Sequence, residues 1–284
     1  MEGCRIHILV SVSLMLMFPV VYGWGVDGHL ITCTIAQTMF SNATTDAVNN
    51  LLPDYADGDL ASLCSWADQI RFHYRWSAAL HFIDTPEVCN YNYARDCHDE
   101  AGNKNRCVAG AINNYTSQLL GYGNDSTQYN LTEALLFLSH FVGDIHQPLH
   151  TAFESDKGGN LIDVYWYTQE TNLHHVWDDS IIESEEDDYY GEDVNGLINA
   201  IQGNITSEYA DQVPGWEICS NNKTACPDVY ASEGILYACN WAYKNATEGT
   251  TLGDDYFLSR LPIVNLRLAQ GGVRLAATLN RIFG

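Results

Sequence analysis

The segment from His140 to His150 carries three imidazoles and one carboxylate in a short stretch that is otherwise apolar and has helical spacing. His140 and Asp144 are four residues apart, so on an α-helix their side chains project from the same face. Imidazole nitrogens and carboxylate oxygens are ligands that zinc prefers. The segment therefore predicts a metal site carried by a helix.

The first residues of the chain have the features of a secretory signal. Residues 1–23 contain one arginine, then an apolar run from Ile6 to Val21, then small residues before Trp24. The run is shorter than the roughly 20 residues that a membrane span requires, so no membrane anchor is expected. We predict cleavage after residue 23, a mature chain of residues 24–284, and an extracellular or vacuolar destination.

The cysteines and sequons agree with that route. Eight cysteines remain after residue 23, and an even number is typical of an oxidising compartment, although counting alone leaves many pairings open. Asn-x-Ser/Thr sequons, the acceptors of N-glycosylation, occur at Asn42, Asn114, Asn124, Asn130, Asn204, Asn222 and Asn245.

Length and charge narrow the possibilities further. Residues 24–284 are enough for one sizeable core, and no segment resembles a linker, so we expect one domain. The net charge of −23 argues against a basic stripe that grips nucleic acid, and a polyanionic substrate would instead be held through bound cations. The acidic run from Glu183 to Asp193 is expected to form a solvated loop.

Hydrophobic periodicity predicts a mainly α protein. Only residues 160–168, which follow a Gly-Gly turn, have the pattern of a short strand or hairpin. Helices are predicted near residues 26–40, 59–75, 108–121, 131–147, 172–182, 194–209, 229–246 and 255–282.

Other histidines also lie close to carboxylates. The step from His174 to Asp178 repeats the spacing of His140 and Asp144, and so does the neighbouring step from His175. Such a step occurs readily by chance, so one match is poorly diagnostic. The metal hypothesis therefore depends on the whole set of motifs and on their order.

The ordered motifs carry a family resemblance. They are Trp24 to His29, Ser65 to Asp68, Leu80 to Asp84, His140 to Asp144, Gln147 to His150, Gly158 to Asn160 and Asn172 to Asp178. In these motifs the chain resembles the zinc-dependent single-strand-specific nucleases of fungi and plants over almost all of residues 24–284. The ending, residues 267–283, is similar to the plant branch, called bifunctional nuclease or nuclease I.

The resemblance implies a single-domain helical fold of the phospholipase C/nuclease type, with a short β-hairpin, disulfide bridges and three zinc ions. One zinc would be bound by Asp68, His81, His140 and Asp144; a second by the free amine and carbonyl oxygen of Trp24, by His29 and by the bridging Asp144; the third by His150, His174 and Asp178. The implied disulfides are Cys33 with Cys64, Cys89 with Cys239, Cys97 with Cys107, and Cys219 with Cys226.

The activity that the resemblance implies is hydrolysis of single-stranded DNA and RNA to 5'-phosphate products, together with 3'-nucleotidase activity, by a monomer. A hydroxide held between the two zinc ions that Asp144 bridges, one of which Asp68 also binds, would attack phosphorus in line with the departing 3' oxygen. Arg71 would offset the charge of the phosphate; a surface role for it stays open.

Three further residues resemble the substrate-binding positions of the family. Phe82 would stack on one nucleobase and Asp84 would accept a hydrogen bond from the edge of the base, while Asn160 would donate to the phosphate. A core position for Phe82 and a turn-forming role for Asn160 remain open alternatives.

Two other functions compete with the nuclease. Zinc-dependent phospholipase C shares the fold but has glutamate at the position of Asp178, and this difference favours the nuclease. The second alternative is a catalytically inactive secreted zinc glycoprotein. All the expected ligands are present, whereas an inactive site would tolerate their loss.

Overall fold

A computed structural model describes residues 23–284, and the predicted secretory signal lies outside them except for Gly23. Helices dominate, as the periodicity predicts. They are α1 (Val26–Thr38), α2 (Asn42–Leu51), α3 (Trp66–Ile70), α4 (Tyr93–Asp96), α5 (Val108–Leu119), α6 (Leu131–Asp144), α7 (Leu173–His175), α8 (Ile181–Glu185), α9 (Val194–Thr206), α10 (Val213–Glu217), α11 (Pro227–Tyr237) and α12 (Asp254–Phe283). Short 3-10 and π-helical turns connect several of them, and π-helical turns follow α7, α8 and α11.

A small sheet confirms the predicted hairpin and adds a strand to it. Strands β1 (Asp163–Trp166) and β2 (Gln169–Asn172) pair antiparallel around a two-residue turn, in which Tyr167 takes a left-handed φ of 53°. Such turns match the twist of the two strands. Strand β3 (Thr251–Leu252) pairs in parallel with β1 and was not predicted, because two residues are too few to give a periodic signal.

The core consists of two apolar clusters, which α1 and α12 join. Both helices contribute to both clusters: Cys33 of α1 and Leu275 of α12 lie in one, while Ile31 and Leu268 lie in the other. Helix α6 runs through the first cluster, and all its residues from Ala134 to Asp144 are buried. The helix that the sequence marked as a metal carrier is therefore central to the fold.

Four disulfides link the chain, with the pairs that the resemblance implies: Cys33–Cys64, Cys89–Cys239, Cys97–Cys107 and Cys219–Cys226. The first joins α1 to the segment just before α3. Both of its cysteines are fully buried. This bridge fixes the N-terminal helix relative to the segment that carries Asp68.

The predicted continuous helix over residues 59–75 is wrong. The segment instead contains a 3-10 turn (Ala61–Leu63), then α3, then a second 3-10 stretch (Arg75–Leu80). The carbonyl of Cys64, which a continuous helix would use for the N–H of Asp68, accepts a hydrogen bond from His140 Nδ1 at 2.8 Å. A tertiary contact therefore replaces a helical one.

The predicted solvated loop at Glu183 to Asp193 is also wrong in its first part. Residues up to Tyr190 are helical, and Glu185 and Glu186 are buried. Asn265 of α12 donates to Glu185 at 2.8 Å, so packing against the last helix orders this segment. The acidic composition of this segment does not indicate which of its carboxylates are buried by contacts with α12.

Within residues 23–284, no helix combines the length and the apolar character that crossing a membrane requires.

Candidate metal centre

Helix α6 supplies two adjoining groups at the centre of the site. His140 and Asp144 are fully buried, and His140 Nε2 lies 3.1 Å from Asp144 Oδ2. The other ring nitrogen of His140 donates to the carbonyl of Cys64, which leaves a lone pair on Nε2. A backbone carbonyl that fixes the ring in this way is the usual support of a metal-binding histidine.

The segment that includes α3 brings Asp68 and His81 to the same point. His81 Nδ1 lies 3.0 Å from Asp144 Oδ2, 3.1 Å from His140 Nε2 and 3.6 Å from Asp68 Oδ1. Asp68, His81 and His140 are buried, and their ligand atoms lie within 4.8 Å of one another. They form a compact group that could hold one ion.

Helix α1 brings His29 against the other oxygen of Asp144. His29 Nε2 lies 3.3 Å from Asp144 Oδ1, and His29, His140 and Asp144 form a second group within 4.8 Å. The close approach of α1 to α6 depends on Gly143, where an added Cβ would lie 2.8 Å from His29 Nδ1.

The backbone before α1 also reaches this group. A Cβ added at Gly23 would lie 1.7 Å from Asp144 Oδ1 and 2.9 Å from His29 Nε2. Trp24 is fully buried, and the N–H of Gly25 donates to the carbonyl of Asp178 at 3.0 Å. The peptide bond before Trp24 therefore lies among the side chains predicted as ligands.

A third group consists of His150, His174 and Asp178. His150 Nδ1 donates to the carbonyl of His81 at 2.7 Å and His174 Nδ1 donates to that of Gly158 at 2.6 Å. The two Nε2 atoms, left with lone pairs, lie 3.2 Å apart, and Asp178 Oδ2 lies 3.2 Å from His174 Nε2. Lone pairs that converge with a carboxylate attract a cation.

The electrostatics of these groups favour a bound cation. Burial lowers the pKa of His29 and His81, so both imidazoles stay neutral, the form that binds metals. At His140 burial acts in the same direction, but Asp144 and Asp68 outweigh it and raise its pKa to about 9, so these carboxylates attract a positive charge to this point, and a metal ion would bind there in place of the Nε2 proton. Burial raises the pKa of the Asp178 carboxyl well above its ordinary value.

Unsatisfied polar atoms give a direct test of fit. Both ring nitrogens of His29, Oδ1 of Asp144 and Oδ1 of Asp68 are buried without a hydrogen-bond partner in the described part of the chain. Leaving such atoms unpaired is costly, and a divalent ion satisfies nitrogen and oxygen donors together. These unpaired atoms belong to the first two groups, and the third group offers converging ring nitrogens and a carboxylate, so the residues present fit metal ions at all three groups.

The predicted substrate residues lie close to the metal groups. Nη1 of Arg71, at the end of α3, lies 3.7 Å from Asp68 Oδ1. Phe82 and Asp84 line a cavity of about 290 Å³ together with His174. Burial, followed by repulsion from Glu154, raises the pKa of Asp84 to about 6.

Asn160 is oriented by its own turn. The residue is buried, and its side-chain amide donates to the carbonyl of Lys157 at 2.8 Å. Two residues earlier, the carbonyl of Gly158 accepts the hydrogen bond from His174 Nδ1. The same Gly-Gly turn therefore positions both the Asn160 amide and a residue of the third metal group.

His146 and His175 lie near the ligands but outside the three groups. His146 is fully buried. Its Nδ1 donates to the carbonyl of Val142, and Arg274 contacts its Nε2 at 2.9 Å. The side chain of His175 is half exposed and pairs with Asp179 at 2.9 Å.

Sequence reasoning missed two supports of the site. Gln147 is buried and donates to Asp178 Oδ1 at 2.5 Å, while its own carbonyl oxygen accepts from the N–H of Leu149. Arg267 of α12 is fully buried and donates to the carbonyl of His146 at 3.0 Å. Gln147 lies in the motif from Gln147 to His150, and this position could have indicated a role in the site. Arg267 is more than 100 residues away from that motif in the sequence, so no local pattern indicates its contact.

The helical fold and the three adjoining His/Asp groups are typical of metal-dependent hydrolases. The comparison with known families makes this specific: the chain belongs to the S1/P1 nuclease family, whose model matches residues 24–284. The family is one of metal-dependent nucleases.

Individual relatives agree with this assignment over nearly the whole chain. The sequence is 60% identical to Endonuclease 2 of Arabidopsis thaliana over 282 residues, which cover 98% of this chain and 97% of that protein. It is 59% identical to Endonuclease 4 of the same plant over 266 residues, covering 92% and 89% of the two chains. Identity to Nuclease S1 of Aspergillus oryzae is 32% over 288 residues, 96% of each chain.

Proposed function

We propose that this protein is a secreted zinc-dependent endonuclease that hydrolyses single-stranded DNA and RNA to 5'-phosphate products and also acts as a 3'-nucleotidase. The observation that carries the proposal is the position of Asp144. One of its oxygens lies 3.3 Å from His29 and the other lies 3.0 Å from His81, so a single carboxylate serves two adjacent groups. Membership of a nuclease family supports the reaction class.

In this proposal three zinc ions are held by Asp68, His81, His140 and Asp144; by Trp24, His29 and Asp144; and by His150, His174 and Asp178. Zinc supplies Lewis acidity and brings the pKa of a bound water to about 7. The buried carboxylates balance the charge of the cations, and the backbone carbonyls of Cys64, His81 and Gly158 hold the imidazoles in their ligand tautomer.

Arg71 is proposed to hold the phosphate. Its guanidinium is kept beside the centre by Asp68, and a guanidinium can donate two parallel hydrogen bonds to a phosphate. It would offset negative charge on the phosphate as the leaving oxygen departs, which is the main demand of phosphoryl transfer. Asn160 would add an amide donor on the side of the third group.

The cavity beside the third group is proposed to select unpaired bases. Phe82 offers a ring for stacking, and Asp84 offers a carboxylate to the edge of the base. Stacking on a side chain requires a base that is free of its partner strand, which gives a preference for single strands without discriminating strongly among the bases.

The proposed secretory route is part of the chemistry. An α-amine at Trp24 is available only after the bond to Gly23 is cut, so signal removal would create a ligand. Six of the seven sequon asparagines are exposed and Asn204 is half-buried, so they lie where glycosylation can reach them. The disulfides favour an oxidising compartment.

One experiment tests the proposal against its alternatives. Purified mature protein is incubated with single-stranded DNA, RNA and phosphatidylcholine, with and without a chelator. We expect both nucleic acids to be cleaved, the lipid to stay intact and the chelator to stop cleavage. Hydrolysis of the lipid alone would indicate a phospholipase C, and no hydrolysis at all would indicate an inactive zinc protein; either result would overturn the proposal.

A further inference from the structure

The segment between Asp68 and Asp84 contains no acidic residue. Residues 69–83 lack Asp and Glu in a chain with a net charge of −23. Within them, Arg71 to Trp76 reads Arg-Phe-His-Tyr-Arg-Trp, which combines cationic and aromatic side chains. We call residues 71–76 the aromatic–basic segment. Interleaved arginines and aromatic rings are the side chains that bind single-stranded nucleic acid.

The aromatic–basic segment adjoins the metal centre. It follows α3, which carries Asp68, and leads through the 3-10 stretch Arg75–Leu80 to His81. The N–H groups of His73 and Tyr74 both donate to the carbonyl of Ile70, so the chain turns sharply as it leaves α3. The segment therefore connects two residues of one metal group.

The aromatic rings of the segment are exposed although they are large and apolar. Phe72 is 58% exposed and Trp76 is 47% exposed. The guanidinium of Arg71 lies 5.6 Å from the centre of the Phe72 ring, so Asp68, Arg71 and Phe72 form a continuous row of contacts from the metal centre outward. Arg75 is exposed and forms no ion pair within residues 23–284.

Trp76 is held in place rather than mobile. Its ring stacks on Tyr74 at 5.6 Å and packs against buried Phe137 at 5.8 Å, while Arg106 donates to its backbone carbonyl. Tyr74 in turn donates to Glu133. A fixed and partly exposed ring loses little conformational freedom when a flat ligand contacts it.

A groove continues from Trp76 along α5. It has a volume of about 570 Å³ and is lined by aromatic, amide and hydroxyl groups and by Arg106, with no carboxylate among its lining residues. Arg106 is paired with Asp99 at 3.0 Å. The amides of Asn105 and Asn113 can both donate and accept hydrogen bonds, as nucleobase edges require.

We propose that the aromatic–basic segment and this groove form a second binding surface, which holds nucleotides of a single strand beyond the one cleaved. Phe72 and Trp76 stack with bases, and Arg75 pairs with the backbone phosphate. The inference rests on the proposed nuclease function. Nucleic acid is favoured over an apolar peptide because the surface combines exposed aromatic rings with the positive charge of Arg75, in a protein whose net charge is −23.

The test compares substrates of increasing length. KM is measured for a thymidine dinucleotide and an octanucleotide with wild-type protein, Phe72→Ala, Trp76→Ala and Trp76→Phe. Because Asn114 lines the groove and is a sequon, every protein in the comparison also carries Asn114→Gln, which removes the glycan acceptor without adding a carboxylate. Each alanine variant should raise KM for the octanucleotide about tenfold and leave that for the dinucleotide within about twofold, while Trp76→Phe should retain most of the wild-type affinity.

Tyr189→Ala is the matched control, since Tyr189 is 56% exposed but lies in the acidic run. If Trp76→Ala fails to fold, Phe72→Ala still tests the proposal, because the exposed Phe72 side chain contributes little to the core. Equal KM values for the octanucleotide in wild-type and both alanine variants would overturn this inference and leave the nuclease proposal intact. Failure of wild-type protein to cleave any length would overturn the nuclease proposal itself.

Discussion

Oδ1 of Asp144 on α6 lies 3.3 Å from Nε2 of His29 on α1. The contact joins the central helix to the segment that begins at Trp24, while Oδ2 of the same carboxylate lies 3.0 Å from Nδ1 of His81. Asp144 thus connects the first turn of the described chain with the segment around α3. The proposed cleavage before Trp24 would therefore place the new N-terminus beside this carboxylate.

The most direct prediction about this relationship concerns the residue before Trp24. Protein that retains Gly23 should bind about one zinc fewer per chain and lose most of its nuclease activity, because it lacks a free amine at Trp24 and because Gly23 lies against Asp144 and His29. The measurement is metal analysis and cleavage of single-stranded DNA before and after proteolytic removal of the extra residue. Full zinc content and activity in the extended protein would refute this role of Trp24.

Two adjacent histidines offer a matched pair for the third group. His174→Ala should remove about one zinc per chain and reduce activity by more than about 100-fold, because His174 faces His150 and Asp178. His175→Ala should leave the zinc content and the activity within about twofold of the wild-type values, since His175 is half exposed and pairs with Asp179. Similar losses in the two variants would show that the groups are wrongly assigned.

The disulfide between Cys33 and Cys64 should stabilise the protein more than the one between Cys219 and Cys226. Their sequence separations are 31 and 7, and a larger closed loop restricts the unfolded chain more. Replacing the first pair by alanine should lower the free energy of unfolding by about 2–5 kcal/mol, measured by denaturant titration. The second pair should cost less, and the reverse order would contradict the argument.

The buried carboxyl of Glu185 should make stability depend on pH. Burial raises its pKa from an ordinary 4.5 to about 7, so the folded state binds the proton more tightly than the unfolded state. Its contribution to stability is fully present below pH 4.5 and is lost as the pH rises through 7. Glu185→Gln removes this loss, because the amide oxygen still accepts from Asn265 without carrying charge.

The pH test compares the free energy of unfolding of the two proteins between about pH 5 and pH 8. The wild type should lose more stability than Glu185→Gln over this range, by on the order of 3 kcal/mol at most. The exposed Glu170→Gln serves as the control and should behave like the wild type. A parallel pH dependence in wild type and Glu185→Gln would contradict the assigned ionisation.

Much of the fold and the site could be predicted from the sequence, because long amphipathic helices and ordered motifs are local signals. Helix α6, with His140 and Asp144 on one face, is an example. The break after Cys64 could not be predicted, since it depends on a hydrogen bond from His140, far away in the chain. The same holds for Glu185, which accepts a hydrogen bond from Asn265, and for the carbonyl of His146, which accepts one from Arg267. Contacts between residues far apart in the sequence produce no periodic pattern from which they could be predicted.

Zinc titration of metal-free protein tests the central claim most directly. Chelated and dialysed protein is supplied with increasing zinc while the cleavage of single-stranded DNA and the bound metal are measured together. We predict no cleavage without metal and full activity at about three zinc ions per chain, in agreement with the three groups. Undiminished cleavage by the metal-free protein, or saturation at one zinc ion, would contradict this account.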